Sequence, residues 1–297
     1  MRSLTQLLFA GLALLAVGCS NESLDSDNKS NQLTPVRVHV DGFTVEQESL
    51  SRVTRAVKSL KDYDGVNAIT LAFYQGETEK YKATQLKGSL AEGETFGNFN
   101  LGLPMGSYTM VVLAYYNSDA SPLSLTSPTV AGYTGTRAYE TFTYTQPVTI
   151  SVNDPIDLSA TLSRAIAQLK VVSTDGKTAN VTNVRMTFSA GGKDFNPSTG
   201  LATVNTGFAN TVSNTYAVGA ESTSLSFLFL TSDEQKMDVK IETLDADGNT
   251  LFCETVKNVS FKRNYVTKLT GAMYTNDRIS GGFKVETDWG TQEEINF

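Results

Sequence analysis

The chain has 297 residues, which is enough for one large or two ordinary domains. Its 24 Lys and Arg residues against 31 Asp and Glu residues give a net charge of −7. The sequence has no basic block interleaved with aromatic residues, and this argues against nucleic acid as a partner.

The first 18 residues have the composition of a secretory signal peptide. Arg2 precedes an apolar run over residues 7–15, which is too short to span a bilayer. The small residues that follow end at Cys19 and resemble a bacterial lipobox, with Ala16 where leucine is usual. This resemblance implies cleavage before Cys19 and lipidation of its thiol, which would hold the chain on a membrane. A plain signal peptide followed by a coincidental cysteine is the alternative.

Residues 19–33 are predicted to form a disordered acidic and polar tether, because they contain almost no apolar side chain. Glu22, Asp25 and Asp27 resemble the acidic export signal of Bacteroidetes surface lipoproteins, although an ordinary solvated spacer has the same composition. With Cys19 lipidated, Cys253 has no intrachain disulfide partner. It lies in an alternating segment, 250–256, and we expect it to be a small buried core residue.

Strand patterns dominate the chain after the tether. Val36, Val38 and Val40 alternate with polar residues and predict a half-buried first strand. The pattern changes over residues 46–63, where apolar residues at helical spacing favour a short amphipathic helix. The same stretch contains Arg52 and Arg55, so it also reads as a connector that a protease can reach.

Further strand patterns extend to both sides of Asn153-Asp154-Pro155, which is the strongest boundary signal because proline restricts the backbone. Two units of about 120 residues, each with about seven strands, predict an all-β protein of two β-sandwiches in series. We place the N-terminal sandwich at residues 34–155 and the C-terminal sandwich, with a final strand or tail, at 156–297.

The sequence offers little for catalysis. His39 is the single histidine and is predicted to face solvent on the first strand, while Cys253 lies in the other unit. No zinc-ligand spacing is present, so we expect no catalytic residue, metal or cofactor. Tyrosines are numerous and could line a carbohydrate platform, although aromatic residues on strands more often belong to the core; they are Tyr115, Tyr116, Tyr133, Tyr139 and Tyr144.

Several segments in order resemble one family. They are the lipobox, Thr54-Arg55-Ala56, residues 103–108, residues 162–171 and residues 263–271. Together, over about residues 1–275, they resemble the Bacteroidales fimbrillin superfamily, which contains the stalk pilins of type V fimbriae and related anchor and tip subunits. The resemblance implies two transthyretin-like β-sandwiches and export as a lipoprotein.

The resemblance also implies assembly by strand exchange. In stalk subunits an arginine-directed protease removes the first strand, and a donor strand from the next subunit replaces it. Arg52 and Arg55 match the cleavage position and Arg137 is a weaker third candidate, although all three could be solvated surface residues. The segments that could exchange are the first strand, with Val36, Val38 and Val40, and the tail, with Phe283, Val285 and Trp289. The tail could equally be a plain edge strand.

From these features we expect a non-enzymatic, lipid-anchored protein of the outer membrane that faces the cell exterior. Its expected role is that of a fimbrial anchor or minor subunit that serves adhesion. Expected partners are other fimbrial subunits, the outer membrane through the lipid, and host or bacterial surface ligands. The alternatives are a polymerising stalk pilin that loses its first strand, and a glycan-binding surface lipoprotein.

Overall fold

The computed structural model describes residues 32–49, 52–58, 63–151, 155–275 and 283–287. All of the regular secondary structure in these ranges is β-strand, and the prediction of an all-β fold is confirmed. None of the described residues forms a helix long and apolar enough to cross a membrane.

The first ten strands extend to Arg164. They are β1 (Thr34–Ser49), β2 (Arg52–Lys58), β3 (Ala68–Gln75), β4 (Thr78–Leu86), β5 (Asn98–Leu103), β6 (Gly106–Tyr115), β7 (Leu123–Ser127), β8 (Val130–Tyr133), β9 (Thr141–Ile150) and β10 (Ile156–Arg164). Ten more strands follow. They are β11 (Ala167–Ser173), β12 (Asn183–Phe188), β13 (Asp194–Asn196), β14 (Leu201–Ala202), β15 (Phe208–Ser213), β16 (Thr223–Leu228), β17 (Glu234–Leu244), β18 (Thr250–Lys262), β19 (Val266–Gly271) and β20 (Lys284–Thr287).

The region predicted as a helix is instead a β-hairpin. β1 continues to Ser49, and β2 pairs with it in antiparallel register from Phe43↔Lys58 to Ser49↔Arg52. The helix prediction is therefore wrong over the described residues. Apolar side chains three or four positions apart can belong to a helix, but here the backbone groups of the two segments bond to each other across the hairpin.

Eight strands form the first sheet, in the order β2-β1-β10-β9-β6-β3-β4, with β5 paired to β1. The sheet folds over an apolar core to which β1, β3, β5, β6, β9 and β10 all contribute. Ile156 to Arg164, which the sequence analysis places in the C-terminal sandwich, pair with β1 and β9 and supply Ala160 and Leu162 to this first core. This finding corrects the assignment of residues 156–164.

A second core lies between two four-stranded sheets, β16-β11-β19-β20 and β15-β12-β17-β18. β17 and β18 form a long antiparallel hairpin around Asp245–Asn249. The Asp245 side chain closes its turn, because Oδ1 accepts hydrogen bonds from the backbone N–H groups of Asp247 (3.0 Å) and Asn249 (2.8 Å).

A fourth sheet, β14-β13-β8-β7, combines strands from two separate parts of the chain. β8 comes from the first half of the chain (residues 32–164) and pairs with β13 from the second half (residues 165–287) through Asp194↔Gly132 and Phe195↔Ala131. This sheet encloses a third core together with β3, β6 and Phe229. Strands of both halves thus share one sheet and one core.

Candidate strand-exchange site

The first part of β1 is an interior strand with a neighbour on each side. Thr34 to His39 pair with β5 in antiparallel register, while Val36 to Thr44 pair with β10 in parallel register. We call the groove between β5 and β10 that holds residues 34–40 the β1 slot. Each edge of β1 thus bonds to a different strand.

Side chains of β1 alternate strictly between core and solvent within the slot. Val36, Val38 and Val40 are 1%, 1% and 4% exposed and belong to the first core. The side chains between them face outward: Arg37 lies 3.6 Å from Asp157, and both members of this ion pair are well exposed. A strand that enters this slot must therefore carry small apolar residues at every second position.

A β-bulge separates the two parts of β1. The register with β10 shifts between Val40 and Gly42, and Gly42 has φ 151°, a region that favours glycine. Val40 donates its N–H to the carbonyl of Gly97 at 2.9 Å, immediately before β5. Beyond the bulge β1 no longer pairs with β5 and pairs with β2 instead.

The predicted cleavage residues lie after β1 in the chain. Arg52 is the first residue of β2 and pairs with Ser49, while Arg55 lies inside β2 and pairs with Glu46. β2 is a terminal strand of the sheet order. Arg137 is elsewhere: it is half-buried, and its guanidinium carbon lies 5.2 Å from the ring centroid of Tyr139.

The C-terminal candidates Phe283, Val285 and Trp289 fall just before, on and beyond β20 in the sequence. β20 pairs with β19 in antiparallel register, from Thr270↔Lys284 to Thr267↔Thr287, and is a terminal strand of its sheet. Phe283 is 9% exposed and packs in the second core, whereas Val285 is 42% exposed. Trp289 and Cys19 lie outside the described residues.

A buried polar cluster closes the far end of β10, and the sequence analysis did not identify it as a unit. Arg164 and Glu140 form an ion pair at 2.5 Å, with side chains only 4% and 7% exposed. Arg164 also donates to the Asn264 Oδ1 atom at 2.9 Å and to the Tyr63 hydroxyl at 3.1 Å. We call these four residues the Arg164 cluster. It ties β10 to residues that are 24 to 101 positions away in the chain.

Tyr63 completes this cluster as a hydrogen-bond donor to Glu140 Oε1 at 2.5 Å. Burial, and then the nearby Glu140 carboxylate, raises the pKa of Tyr63 well above its usual value, so the phenol stays protonated at neutral pH. Gly65 leaves room for this arrangement, because a Cβ there would overlap Glu140 Oε2 and lie 2.5 Å from the Tyr63 ring.

The remaining candidate residues are dispersed. His39 faces solvent on β1, with Nε2 3.2 Å from Asp41 Oδ1 and Nδ1 against the Asn98 side chain. Within the described ranges, no group of three His, Cys, Asp or Glu residues could hold a metal ion. The prediction that Cys253 is buried is wrong: it is exposed on β18, which is a terminal strand of its sheet.

The tyrosines do not form a shared exposed platform. Tyr115 and Tyr133 are buried at 4% and 2% exposure, Tyr139 and Tyr144 are half-buried, and Tyr116 is 39% exposed. Tyr116 and Tyr139 are in contact, but their rings are tilted by 38° rather than coplanar. The geometry that a glycan platform would need is therefore not present among these five residues.

The protein belongs to a class defined by sequence similarity over most of its length. One family model, described as a family of unknown function (DUF6562), matches residues 34–296. The chain is a member of the DUF6562 family. No curated protein matches the sequence.

Several solved structures resemble the chain. A Bacteroides ovatus protein described as a "putative adhesin" is 12% identical with a TM-score of 0.48, over 82% of this chain and 88% of its own. A second such B. ovatus protein is 10% identical with a TM-score of 0.46, over 75% and 76%. The fimbrial anchor protein Mfa2 from Porphyromonas gingivalis is 12% identical with a TM-score of 0.46, over 80% and 91%. One of these structures is a fimbrial protein, which is the kind of protein that the sequence resembles.

Proposed function

We propose that the chain is a non-enzymatic, adhesion-related protein of the cell surface. It acts as a fimbrial subunit, as an anchor or minor component, and it assembles by exchange of its first strand. The observation that carries this proposal is the position of β1 between β5 and β10. The descriptions of similar structures as adhesins and a fimbrial anchor name the same kind of protein.

β1 suits exchange because its removal would leave a specific vacancy. Among the described strands, β5 pairs with β1 alone, so loss of β1 would expose backbone groups on both β5 and β10. It would also uncover the core around Val36, Val38 and Val40, each of which contributes about 2 kcal/mol by burial. A strand from another chain would restore both the hydrogen bonds and the burial by β-augmentation.

The positions of Arg52 and Arg55 fit the same proposal. Because both follow Ser49, the last residue of β1, cleavage after either one would separate all of β1 from the rest of the chain. Cleavage at Arg137 would not do so, since Arg137 lies between β8 and β9. Arg52 and Arg55 are therefore our candidates for processing in a polymerising subunit.

An anchor would keep β1 and the lipid that we propose on Cys19, whereas a stalk pilin would lose both. We favour the anchor or minor subunit, with the lipid holding the chain in the outer membrane. β20 already pairs with β19 of its own sheet. We therefore assign the proposed exchange to β1 rather than to the C-terminal tail.

The first test is the N-terminus of the mature protein on cells, determined by mass spectrometry. We expect a lipidated Cys19 and an intact residue range 34–49, together with co-purification of fimbrial subunits. An N-terminus just after Arg52 or Arg55 would instead assign the stalk role, and R52K/R55K should then block processing while R37K does not. An intact protein from which no fimbrial polymer co-purifies would contradict the proposed function.

A further inference from the structure

We propose that an incoming strand docks first at the Arg164 end of the β1 slot and closes towards the Ile156 end, with Arg164 and Glu140 as positioning residues. This inference rests on the proposed exchange of β1. It adds an order of events and names the residues that set that order.

The first support is the uneven pairing of β10. β10 pairs with β1 from Ile156 to Ser163, but it pairs with β9 at only two positions, Ser163↔Thr143 and Arg164↔Phe142. The next residue, Ala165, adds a backbone hydrogen bond to Thr141 at 2.9 Å. When β1 leaves, β10 therefore keeps strand pairing among the described residues at its Arg164 end alone.

Burial along β10 also increases towards Arg164. Of its inward-facing residues, Ile156 and Leu158 are half-buried, whereas Ala160 and Leu162 are fully buried. The Arg164 side chain is held by the ion pair to Glu140 and by hydrogen bonds to Tyr63 and Asn264. None of these contacts involves β1, so they remain when the slot is empty.

The opposite wall of the slot, β5, is held at both ends without β1. Near its start, the Gln85 side chain accepts a hydrogen bond from the Gly97 N–H and donates one to the Asn98 carbonyl, both at 2.8 Å. At its end, the Tyr108 hydroxyl donates to the Pro104 carbonyl at 2.8 Å, in the turn to β6. The asymmetry of the empty slot thus comes from β10.

Val40 sits nearer the end of β10 that stays paired: its partner Ala160 lies three residues before Ser163, where the pairing with β9 begins, and its N–H bonds to the Gly97 carbonyl of the opposite wall. Val36 lies at the other end, opposite Ile156. A strand that meets the Val40 position first binds a preformed surface, whereas at the Val36 position it must also order β10. Ordering backbone costs about 1–2 kcal/mol per residue, so the first route has the lower barrier.

The experiment uses the full chain from residue 32, with residues 50–51 replaced by a site for a specific protease. The protein is folded first and then nicked, so that β1 stays bound without a covalent link. Two peptides of residues 32–49, one unmodified and one variant, are then added together in excess, and each has its own label. They compete for the β1 slots that open. The ratio of labels bound at early times gives relative association rates, and chase with unlabelled peptide gives dissociation rates.

The matched peptides are Val40→Ala and Val36→Ala, which delete the same two methyl groups at opposite ends. We expect the unmodified peptide to exceed Val40→Ala about tenfold in early binding, and Val36→Ala by less than about twofold, with Val36→Ala dissociating about tenfold faster. Equal early binding of the two variants, or the reverse order, would overturn the docking order while leaving exchange intact.

The positioning role is tested in the acceptor. Glu140→Gln should slow association several-fold with little change in dissociation, and Glu242→Gln, which removes a buried carboxylate of the second half, should change neither rate. An effect of Glu140→Gln on dissociation alone would overturn the positioning role. Failure of every peptide to exchange would contradict the proposed function itself, and this outcome is distinct from a wrong docking order.

Discussion

At the residue scale, the structure depends on a few buried polar groups whose partners are distant in sequence. Arg164 stands out in the sequence as a charge beside an apolar run, but nothing in the sequence pairs it with Glu140, Tyr63 or Asn264. These residues come from four separate segments, which only the folded sheet brings together. A lone charge within an apolar strand indicates that a buried partner exists, because an unpaired buried charge is costly, but it does not identify the partner.

Gly65 gives the first prediction. Gly65→Ala should destabilise the protein by about 2 kcal/mol, because its methyl group would displace the Glu140 carboxylate or the Tyr63 ring. Gly88→Ala is the matched control, since a Cβ at that position meets no atom within 4 Å. Urea unfolding of both variants measures the difference. Equal stability of the two variants would contradict the role given to Gly65.

Glu242 gives the second prediction. Its carboxylate accepts two hydrogen bonds from Arg185, at 2.7 and 2.8 Å, and lies 3.0 Å from Lys240. The Arg185 hydrogen bonds are the main cause that lowers the pKa of Glu242 to about 2. A lowered pKa stabilises the folded state at neutral pH, and this stabilisation declines as the pH falls from about 4.5 through about 2.

Glu242→Gln should therefore cost about 2 kcal/mol at pH 7, and the difference from the unmodified protein should shrink steadily towards pH 2. Glu77→Gln, at an exposed position, is the control and should change stability little at either pH. Chemical unfolding across this pH range provides the measurement. A difference that does not vary with pH would show that the charge of Glu242 is not the cause.

At the element scale, strand existence is well predicted from alternation, and strand partners are not. Val36, Val38 and Val40 face the core as their spacing predicts. The sequence could not show that the strand runs on to Ser49, because the pairing of β2 with β1 decides this. The prediction for Cys253 fails for a related reason: alternation places it on one face of β18, but whether that face is covered depends on the sheet packing.

The third prediction concerns β1. Val38→Ala should destabilise the protein by about 2 kcal/mol, since it removes two buried methyl groups from the first core. Arg37→Ala, the next position on the exposed face, should change stability by less than about 0.5 kcal/mol. Thermal unfolding of the two variants tests this alternation. Similar losses in both would mean that β1 does not bury one face in solution.

At the scale of the whole molecule, the two halves share one sheet and one core, whereas two independent sandwiches in series would each have their own. Phe229 stacks on Phe195 with ring centroids 4.3 Å apart, and its backbone exchanges two hydrogen bonds with Gly192. Phe195 lies on β13, which pairs with β8 of the first half. The sequence signal at Pro155 marks a break in pattern, but it carries no information about this shared sheet, whose strands are short and irregularly spaced.

The fourth prediction is that both halves unfold together. Phe229→Ala should cost about 4 kcal/mol and should lower the protection of β3 and β17 alike in hydrogen exchange. Val218→Ala, at a position that is 65% exposed, is the control. Loss of protection confined to the second half would show that the third core does not couple the two halves.

The parallel register between β1 and β10 has a consequence for assembly. A strand that took over the pairing of β1 would run in the same direction as β10, and its small apolar side chains would face the first core. Each subunit would then accept its neighbour in one orientation only, through two different surfaces rather than one self-complementary patch. Repeated contacts of that kind do not close into a two-fold dimer, so a fibre built this way would have two chemically distinct ends and would grow with a defined direction.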